Sequence, residues 1–583
     1  MKELERPFDG REILQHKRSL KKRLLKERDQ LLEKKVAILS GATIGEMKHV
    51  LELFLLNHGI KPVFWEGNYN RFFEDVMFDH DSFIEFQPDL IYVHTSVKNI
   101  LEYPEPNFSQ EQVENLLDQT FQRYVQMWEK VEKEIGCMII QNNFEMLPFR
   151  SMGNGEVYHH TGCLNFINLL NAKVYHYATS HSNFYVNDLA YQASWYGLKN
   201  WFDHAIWYTY KYPFALDAIP WVCHNISNII KSVYGQNKRA LVLDLDNTLW
   251  GGVIGDCGVE HIQIGDETPQ GMAYTDFQKY LKRLSQLGIS LNVCSKNNEE
   301  MAWEGFDHRG SVLKKGDFVS ASINWDHKND NIEKLANQIN MAYEQMVFID
   351  DHPVERDLVS QTIKDMVVLD IDDPEYYVER LDQQGFFEMT LFSEEDRNRN
   401  VYYQNNKERL NEVEKHLSYE AYLNSLQMDC KVMEIGPSNI ERITQLINKT
   451  NQFNLTTKRY TQHEVEKVVA DPNHLSFGAH LTDKFGDNGI ISMVLARIEG
   501  MVAEIDLWVM SCRVFKRNVE FVMFNELIHR CRDKDVQIIR GYYYPTKKNA
   551  IVSEFYRQIG FKLVDENQGS RVWELVIKDA VLK

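Results

Sequence analysis

Two carboxylates, Asp244 and Asp246, follow a short apolar run and are spaced for chemistry on a bound group. The apolar run of residues 241–245 predicts a buried strand, and open α/β sheets bind ligands at the carboxyl ends of their strands. Side chains two positions apart on an extended segment point the same way, so both carboxylates can face one group. Two charges beside an apolar strand need compensation, and a divalent cation provides it. The pair alone also fits a strand followed by two capping aspartates.

Three later segments carry polar residues at the end of a predicted strand or the start of a predicted helix. The run ISLNVC leads to Ser295, the run WDHKNDNI opens a helix at Lys328, and the run MVFID ends in Asp350 and Asp351. A hydroxyl is a hydrogen-bond donor, whereas a lone lysine at such a position has no functional meaning by itself. Carboxylate oxygens are the ligands that Mg²⁺ prefers. The four segments together predict a polar site at the strand ends that can hold a divalent cation.

The segment LDLDNTLWGG and the order of the other three motifs resemble the haloacid-dehalogenase superfamily. The resemblance implies that Asp244 attacks phosphorus and forms an aspartyl phosphate. It implies that Asp246 protonates the leaving oxygen and then deprotonates the incoming water or acceptor. Thr248 would support the loop, while Ser295 and Lys328 would contact the phosphoryl group.

The same resemblance implies the ligands of the metal. Asp244, the backbone carbonyl of Asp246 and Asp350 would bind Mg²⁺, with Asp351 bound directly or through water. The stretches from Asp246 to Thr268 and from residue 295 to 328 are too short for the cap domains of this superfamily. The site is therefore expected to be uncapped, which suits a large or carrier-tethered substrate.

Four sequence segments resemble the FkbH-like subfamily: LVLDLDNTLWGGVIGDCGVEHIQIG, NVCSKNN, FIDDHPVER, and KTNQFNLTTKRYT at residues 449–461. FkbH-type proteins are associated with loading a glyceryl unit from a phosphorylated glycolytic intermediate onto an acyl carrier protein, with loss of phosphate. This implies a bifunctional transferase and phosphatase. Its partners would be a phosphorylated small molecule or acyl phosphate and an acyl carrier protein.

A cysteine of the phosphatase domain is thought to carry the acyl group in that subfamily, and Cys294 is the candidate here. Lys328 and the metal would lower the pKa of its thiol and make it a nucleophile. The alternative is a small apolar residue that packs a strand. Cys257 is less favoured.

The sequence as a whole predicts an α/β fold in three domains. Residues 1–235 alternate apolar runs (VAILS, PVFW, DLIYVHT, CMIIQNN, KVYHY) with helical stretches, which predicts an α/β domain with a parallel sheet. The run LSGATIGEMKHVLELFLLNHGIKPVF, followed by FQPDLIYVHT, resembles the flavodoxin/SGNH-like N-terminal region of long FkbH-type proteins. Ser40 would lie near the nucleophile position of SGNH hydrolases. The Gly-Asp-Ser signature and a DxxH signature are absent, although Asp203 and His204 are adjacent, so a non-catalytic scaffold is favoured.

Residues 236–385 are expected to form the Rossmannoid phosphatase domain, residues 386–427 a helical connector, and residues 428–583 an α+β domain. This last domain resembles the N-acetyltransferase (GNAT) fold, with FYRQIGF as a late motif. Its phosphate-binding turn lacks the glycines that let backbone amides approach a pyrophosphate. Lys516 and Arg517 are the candidates to contact phosphates instead, such as those of a carrier's phosphopantetheine arm.

Composition excludes several other functions. The chain has 583 residues, a formal charge of −19 and eight cysteines without zinc-site spacing. The negative charge disfavours nucleic acid as the partner, and the lack of a long apolar run predicts a cytoplasmic protein without a membrane partner. Two other functions remain open: a plain phosphatase of a small or polymer-linked phosphoester, and a carrier-docking scaffold with a vestigial site.

Overall fold

The computed structural model of the chain describes residues 1–27, 31–78, 81–390, 392–413, 415–416, 418–546 and 548–583, and only the backbone of residues 395, 410, 411, 413 and 512. Two compact units make up the chain. The first comprises Met1–Val233 with Thr461–Val465, and the second Tyr234–Tyr460 with Glu466–Lys583. No helix in the described part of the chain is long and apolar enough to cross a membrane.

A five-stranded parallel sheet, in the order β2-β1-β3-β4-β5, forms the centre of the first unit, as predicted for an α/β domain. Its strands are β1 (Leu32–Ser40), β2 (Ile60–Glu66), β3 (Leu90–His94), β4 (Met138–Asn142) and β5 (Phe184–Asn187). Its helices are α1 (Gly10–Glu27), α2 (Gly45–Asn57), α3 (Glu74–Met77), α4 (Asp81–Phe86), α5 (Gln110–Glu134), α6 (Cys163–Ser180), α7 (Leu189–Tyr196), α8 (Leu198–Trp201), α9 (His204–Tyr210) and α10 (Ile219–Val233).

One predicted strand of this unit is wrong. The run KVYHY lies inside helix α6, where Val174 and Tyr177 are buried one helical turn apart. This three-residue spacing is that of a helix face, because side chains three positions apart point to the same side. The fifth strand is β5, which follows that helix.

The second unit contains a five-stranded parallel sheet in the order β10-β9-β6-β7-β8. Its strands are β6 (Ala240–Leu243), β7 (Ser290–Ser295), β8 (Phe318–Ile323), β9 (Met346–Ile349) and β10 (Val367–Leu369). The accompanying helices are α11 (Ile254–Cys257), α12 (Pro269–Gln286), α13 (Glu299–Glu304), α14 (Lys328–Ile339), α15 (Pro353–Thr362) and α16 (Tyr377–Asp382). The segments from β6 to α12 and from β7 to α14 hold no additional domain, which agrees with the prediction of an uncapped site.

Two connector helices, α17 (Glu394–Val413) and α18 (Tyr419–Ser425), lead to a mixed sheet in the order β11-β13-β14-β15-β16-β18-β17. A short strand, β12, pairs with β15. The mixed sheet and the helices of this region confirm the predicted α+β class. The strands are β11 (Asp429–Met433), β12 (Phe453–Asn454), β13 (His474–Asp483), β14 (Gly486–Glu499), β15 (Val502–Met510), β16 (Ile538–Tyr543), β17 (Lys562–Asn567) and β18 (Ser570–Val576). The helices are α19 (Ile440–Lys449), α20 (Gln462–Ala470), α21 (Val519–Asp533) and α22 (Phe555–Gln558).

Candidate active site

The register of the central strands places Asp244 beside Asp350. Leu243 of β6 pairs with Ile349 of β9, and each of these residues is followed directly by an aspartate. The backbone N–H of Asp244 donates to the Ile349 carbonyl at 3.0 Å. Both carboxylates therefore leave the same edge of a parallel sheet, where ligands bind in open α/β folds.

Three carboxylates converge at this edge in an arrangement that fits a divalent cation. One oxygen each from Asp244, Asp350 and Asp351 lies within 4.8 Å of the other two. Oδ1 of Asp244 is buried and has no hydrogen-bond partner, which leaves a ligand atom free for a metal. Hard oxygen donors are the set that Mg²⁺ selects. The side chain of Asp246 is not in this group, and the role predicted for its backbone carbonyl stays a prediction.

Lys328, the first residue of α14, neutralises part of this charge. Its Nζ lies 3.1 Å from Oδ2 of Asp244 and 2.5 Å from Oδ2 of Asp350. Burial disfavours the ammonium, but the two carboxylates outweigh burial and raise the pKa of Lys328 above its ordinary value. The lysine is thus held charged between the predicted nucleophile and a predicted metal ligand.

Desolvation and crowding both act on the remaining carboxylates. Burial and the charge of Asp244 raise the pKa of Asp350 to about 6, while Lys328 and the N–H of His352 oppose that rise. Burial and the same aspartate raise the pKa of Asp351. A bound cation would stabilise these buried carboxylates in their charged form, because it compensates for the hydration that burial removes.

The carboxylate of Asp246 faces a different set of groups. Its Oδ1 accepts hydrogen bonds from Nε1 of Trp250 at 2.9 Å and from the N–H of Ile254 at 3.1 Å. Its Oδ2 accepts one from Nδ2 of Asn297 at 2.9 Å. Burial nevertheless raises the pKa of Asp246. Asp246 is therefore held apart from the three-carboxylate group, and its role as proton donor and acceptor stays a prediction.

Thr248 and Arg356 fix the loops that carry these aspartates. Oγ1 of the buried Thr248 accepts from the N–H of Asp351 at 3.2 Å. Nη1 of Arg356 donates to the carbonyls of Asp350 at 2.8 Å and of Asp351 at 2.7 Å. Arg356 was not among the sequence candidates, although the run HPVER that contains it was part of the fourth motif.

Asn247 carries a second set of contacts that sequence reasoning missed. The hydroxyls of Tyr274 and Tyr377 both donate to its backbone carbonyl, at 3.2 Å and 3.0 Å. Its φ of +54° puts this residue in the left-handed region, which asparagine tolerates better than most residues. The two tyrosines therefore stabilise the turn between Asp246 and Thr248.

Ser295 is the last residue of β7, the neighbour of β6, and is buried. Its carbonyl accepts from the N–H of Asn324 at 3.2 Å. The position agrees with the predicted placement at a strand end. The contact of its hydroxyl with a phosphoryl group stays a prediction.

The expectation of a reactive thiol at Cys294 is wrong. The side chain is fully buried in the apolar cluster that contains Val242 and Ile332, and its S–H donates to the Lys328 carbonyl at 3.7 Å. Burial raises the pKa of Cys294 to about 12, although the charge of Lys328 acts in the opposite direction. The thiol therefore packs the strand as a small apolar group. Cys257 is partly exposed, but burial and nearby carboxylates raise the pKa of its thiol too.

Arg517, predicted to contact phosphates, lies in an ion pair within the protein. Its buried guanidinium lies 3.2 Å from Asp483, which Arg409 of the connector also binds with two contacts of 2.8 Å. Lys516 is exposed, and its backbone carbonyl accepts from the Tyr419 hydroxyl at 2.9 Å. A phosphate contact by Lys516 stays a prediction.

Ser40 and Asp203 of the first unit are both engaged in local structure. Ser40 ends β1, is buried, and donates its hydroxyl proton to the Ala42 carbonyl. Asp203 caps helix α9 by accepting from the N–H of Ile206 at 3.0 Å, with His204 beside it. Both side chains have structural partners, which is consistent with the favoured scaffold interpretation.

Two comparisons match the chain to known proteins. Residues 35–231 match the family of the FkbH N-terminal domain. A crystal structure of the N-terminal part of the protein BF1531 from Bacteroides fragilis, which contains a phosphatase domain complexed with Mg, matches with 29% identity and a TM-score of 0.60. That match covers 66% of this chain and 100% of the Bacteroides chain.

Weaker matches are to N-acetyltransferases. The ribosomal-protein-S18-alanine N-acetyltransferase of Escherichia coli matches with 9% identity and a TM-score of 0.21, covering 26% of this chain and 94% of that chain. The PaiA N-acetyltransferase of Thermoplasma acidophilum, in complex with coenzyme A, matches with 15% identity and a TM-score of 0.20. That match covers 25% of this chain and 99% of the Thermoplasma chain. No curated protein sequence matches the chain.

Proposed function

We propose that this protein is a Mg²⁺-dependent phosphohydrolase in which Asp244 forms an aspartyl-phosphate intermediate. The observation that carries the proposal is the group formed by the buried Asp244 and Asp350 and the half-buried Asp351, with Lys328 beside it and Oδ1 of Asp244 unpartnered. The Mg-complexed phosphatase domain of the Bacteroides protein supports this function.

The two aspartates that follow β6, Asp244 and Asp246, have separate roles in the reaction. A carboxylate oxygen of Asp244 attacks phosphorus, and the bond to the leaving oxygen breaks as Asp246 gives that oxygen a proton. Water then attacks phosphorus, loses a proton to Asp246 and releases Asp244. Lys328 offsets the negative charge that gathers on the phosphoryl oxygens and on the attacking carboxylate.

Asp244, Asp350 and Asp351 are the residues that would hold Mg²⁺. When bound, the cation supplies positive charge that screens the nucleophilic carboxylate from the phosphoryl oxygens. The shared edge of β6 and β9 fixes the spacing of these side chains, so the site needs no closing domain to assemble.

Phosphate release from simple phosphoesters tests the proposal. We expect turnover by the wild-type chain with Mg²⁺, none with EDTA, and none by Asp244→Asn or Asp350→Asn under conditions in which each variant is folded. Asp326→Asn is the matched control, because this exposed carboxylate pairs with Lys334. Turnover by Asp244→Asn equal to the wild type would remove the nucleophile that we assign.

A second candidate function is transfer of an acyl group to a carrier protein with release of phosphate, which the match of residues 35–231 to the FkbH N-terminal domain favours. The uncapped site leaves room for a tethered partner. Intact-protein mass spectrometry of the chain with an acyl phosphate and an acyl carrier protein separates the two candidates. An acyl adduct on either protein supports transfer, whereas phosphate release without an adduct supports the plain phosphatase. No turnover of either substrate class would indicate a docking scaffold with a vestigial site.

A further inference from the structure

The Asp246 carboxylate is held by three donors from the segments that follow two neighbouring strands. Trp250 lies in the loop after β6, the N–H of Ile254 lies at the start of α11, and Asn297 lies in the loop after β7. Both oxygens of the carboxylate are engaged, one by two donors and the other by one. Rotation of Asp246 about its side-chain torsions would break at least one of these bonds, so the carboxylate has one preferred orientation.

The amide of Asn297 is itself oriented. Its Oδ1 accepts from the N–H of Asn298 at 2.9 Å, so that Nδ2 is the atom that faces Asp246. The side chain is 5% exposed, which leaves little room for water to replace it. The amide therefore presents a donor, rather than an acceptor, to the carboxylate.

The indole of Trp250 is fixed by packing. It is fully buried, and its ring lies edge-on to Phe306 with centroids 5.1 Å apart. Gly305 approaches the ring so closely that a Cβ built there would lie 2.9 Å from the indole. The core therefore sets the direction in which Nε1 points, and Nε1 in turn sets the position of Asp246.

We propose that Trp250 and Asn297 are positioning residues that hold the Asp246 carboxyl in line for proton transfer to the leaving oxygen and from the attacking water. This inference rests on the proposed function. Neither residue contacts the three-carboxylate group through a described hydrogen bond, so both act on the proton-transfer residue and not on the metal ligands. Misplacement of a proton donor by about 1 Å can cost on the order of 10²-fold in rate.

The inference predicts a dependence on the leaving group. An alkyl phosphate needs a proton on its leaving oxygen, whereas an aryl phosphate with an electron-withdrawing ring leaves without one. We expect Trp250→Phe and Asn297→Leu to lower kcat/KM for the alkyl phosphate by about 10²-fold and for the aryl phosphate by less than about threefold. Because the attacking water must still lose a proton, the aryl substrate should show a burst of one phenolate per chain, followed by slow turnover.

Three further variants keep the test independent of misfolding. Gly305→Ala displaces the indole without removing any donor and should show the same pattern in weaker form. Trp303→Phe is the matched control for Trp250, since its Nε1 faces the exposed Glu299 at 3.4 Å. Asn298→Leu is the control for Asn297, because the Asn298 side chain caps α13.

Stopped-flow and steady-state rates with both substrates, at saturating Mg²⁺, decide the matter. Equal losses of kcat/KM for the alkyl and aryl substrates, or no loss in Trp250→Phe, Asn297→Leu and Gly305→Ala, would overturn the inference while the wild type remains active. Absence of phosphate release by the wild type from both substrates would instead overturn the proposed function, and this inference with it.

Discussion

The N–H of Asp351 donates a hydrogen bond to Oγ1 of Thr248 over 3.2 Å, which ties the loop after β9 to the loop after β6. The loop after β6 contributes Asp244 to the three-carboxylate group, and the loop after β9 contributes Asp350 and Asp351. The threonine therefore holds the two halves of the candidate metal site in register, although it is not itself a ligand.

Replacement of that hydroxyl should weaken Mg²⁺ binding. We expect Thr248→Val to raise the Mg²⁺ concentration for half-maximal phosphate release by about 10- to 100-fold, because outer contacts of this kind orient metal ligands. Thr248→Ser keeps the oxygen and should behave as the wild type. Mg²⁺ titrations of activity, and of the melting temperature in the absence of substrate, measure the effect. Equal Mg²⁺ requirements of the valine variant and the wild type would contradict this role.

Lys328 should stabilise the fold as well as the reaction. Lys328→Met leaves Asp244 and Asp350 without their buried counter-charge, so we expect the free energy of unfolding without Mg²⁺ to fall by about 3–5 kcal/mol. Added Mg²⁺ should recover part of this loss without restoring turnover. Denaturant unfolding with EDTA and with Mg²⁺ gives both values. Lys334→Met, which removes an exposed ion pair with Asp326, should change stability by less than about 1 kcal/mol. A similar small change for Lys328→Met would contradict the prediction.

The Cys294 thiol should be unreactive in the folded chain. Because burial raises its pKa to about 12, we expect alkylation by iodoacetamide at pH 8 to be at least about tenfold slower than at the partly exposed Cys257. Peptide mass spectrometry after timed quenching compares the two sites, and both should react fully in denaturant. Cys294→Ala should retain phosphate release. Rapid labelling of Cys294 in the native chain would show that the packed arrangement opens readily.

Glu145 of the first unit should make stability depend on pH. Burial raises its pKa to about 7 from an ordinary 4.5, while the N–H of Val97 donates to one of its oxygens. The folded chain then keeps a proton that the unfolded chain has released between about pH 4.5 and 7. Stability contributed by this group, about 3 kcal/mol, is present below that window and is lost as the pH rises through it.

The variant Glu145→Gln should remove that dependence. We expect its denaturation midpoint at pH 8, relative to that at pH 5, to fall less than the wild-type midpoint does. Glu129→Gln, an exposed change on α5, should titrate as the wild type. Parallel pH profiles of wild type and Glu145→Gln would contradict the assignment.

The order and placement of the four motifs could be predicted from the sequence because each follows a local rule. Apolar runs that end in polar residues predict strands, and the carboxyl ends of parallel strands share one edge of a sheet. Asp244 and Asp350 are thus expected to meet without any knowledge of the register. The register Leu243 to Ile349 then places them side by side.

Other features depend on contacts that no local pattern encodes. Asn297 belongs to a segment that sequence reasoning used for Ser295, but an uncharged amide gives no sign that its partner is Asp246, 51 positions away. A tryptophan in this segment is expected to lie in the core, and Trp250 does. Its Nε1 also donates a hydrogen bond to the Asp246 carboxylate, which the sequence does not indicate. Arg517 looked available for phosphate because Asp483 is distant in sequence.

Two predictions differ from the structure because packing decided the outcome. The run KVYHY is too short to separate a strand from a helix, and its neighbours on α6 decide the question. Cys294 alternates with Val293 along β7, and the two side chains pack in the apolar clusters on opposite sides of the sheet. The Cys294 thiol was expected to lie beside the Lys328 ammonium, but it donates to the Lys328 backbone carbonyl instead.

The central claim is that Asp244 carries the phosphoryl group, and reductive trapping tests it most directly. Borohydride added during turnover with Mg²⁺ converts an aspartyl phosphate to homoserine, which peptide mass spectrometry locates. We predict homoserine at position 244, formed only when both substrate and Mg²⁺ are present. Continued phosphate release with no modification at position 244, or with homoserine at another aspartate, would contradict the account.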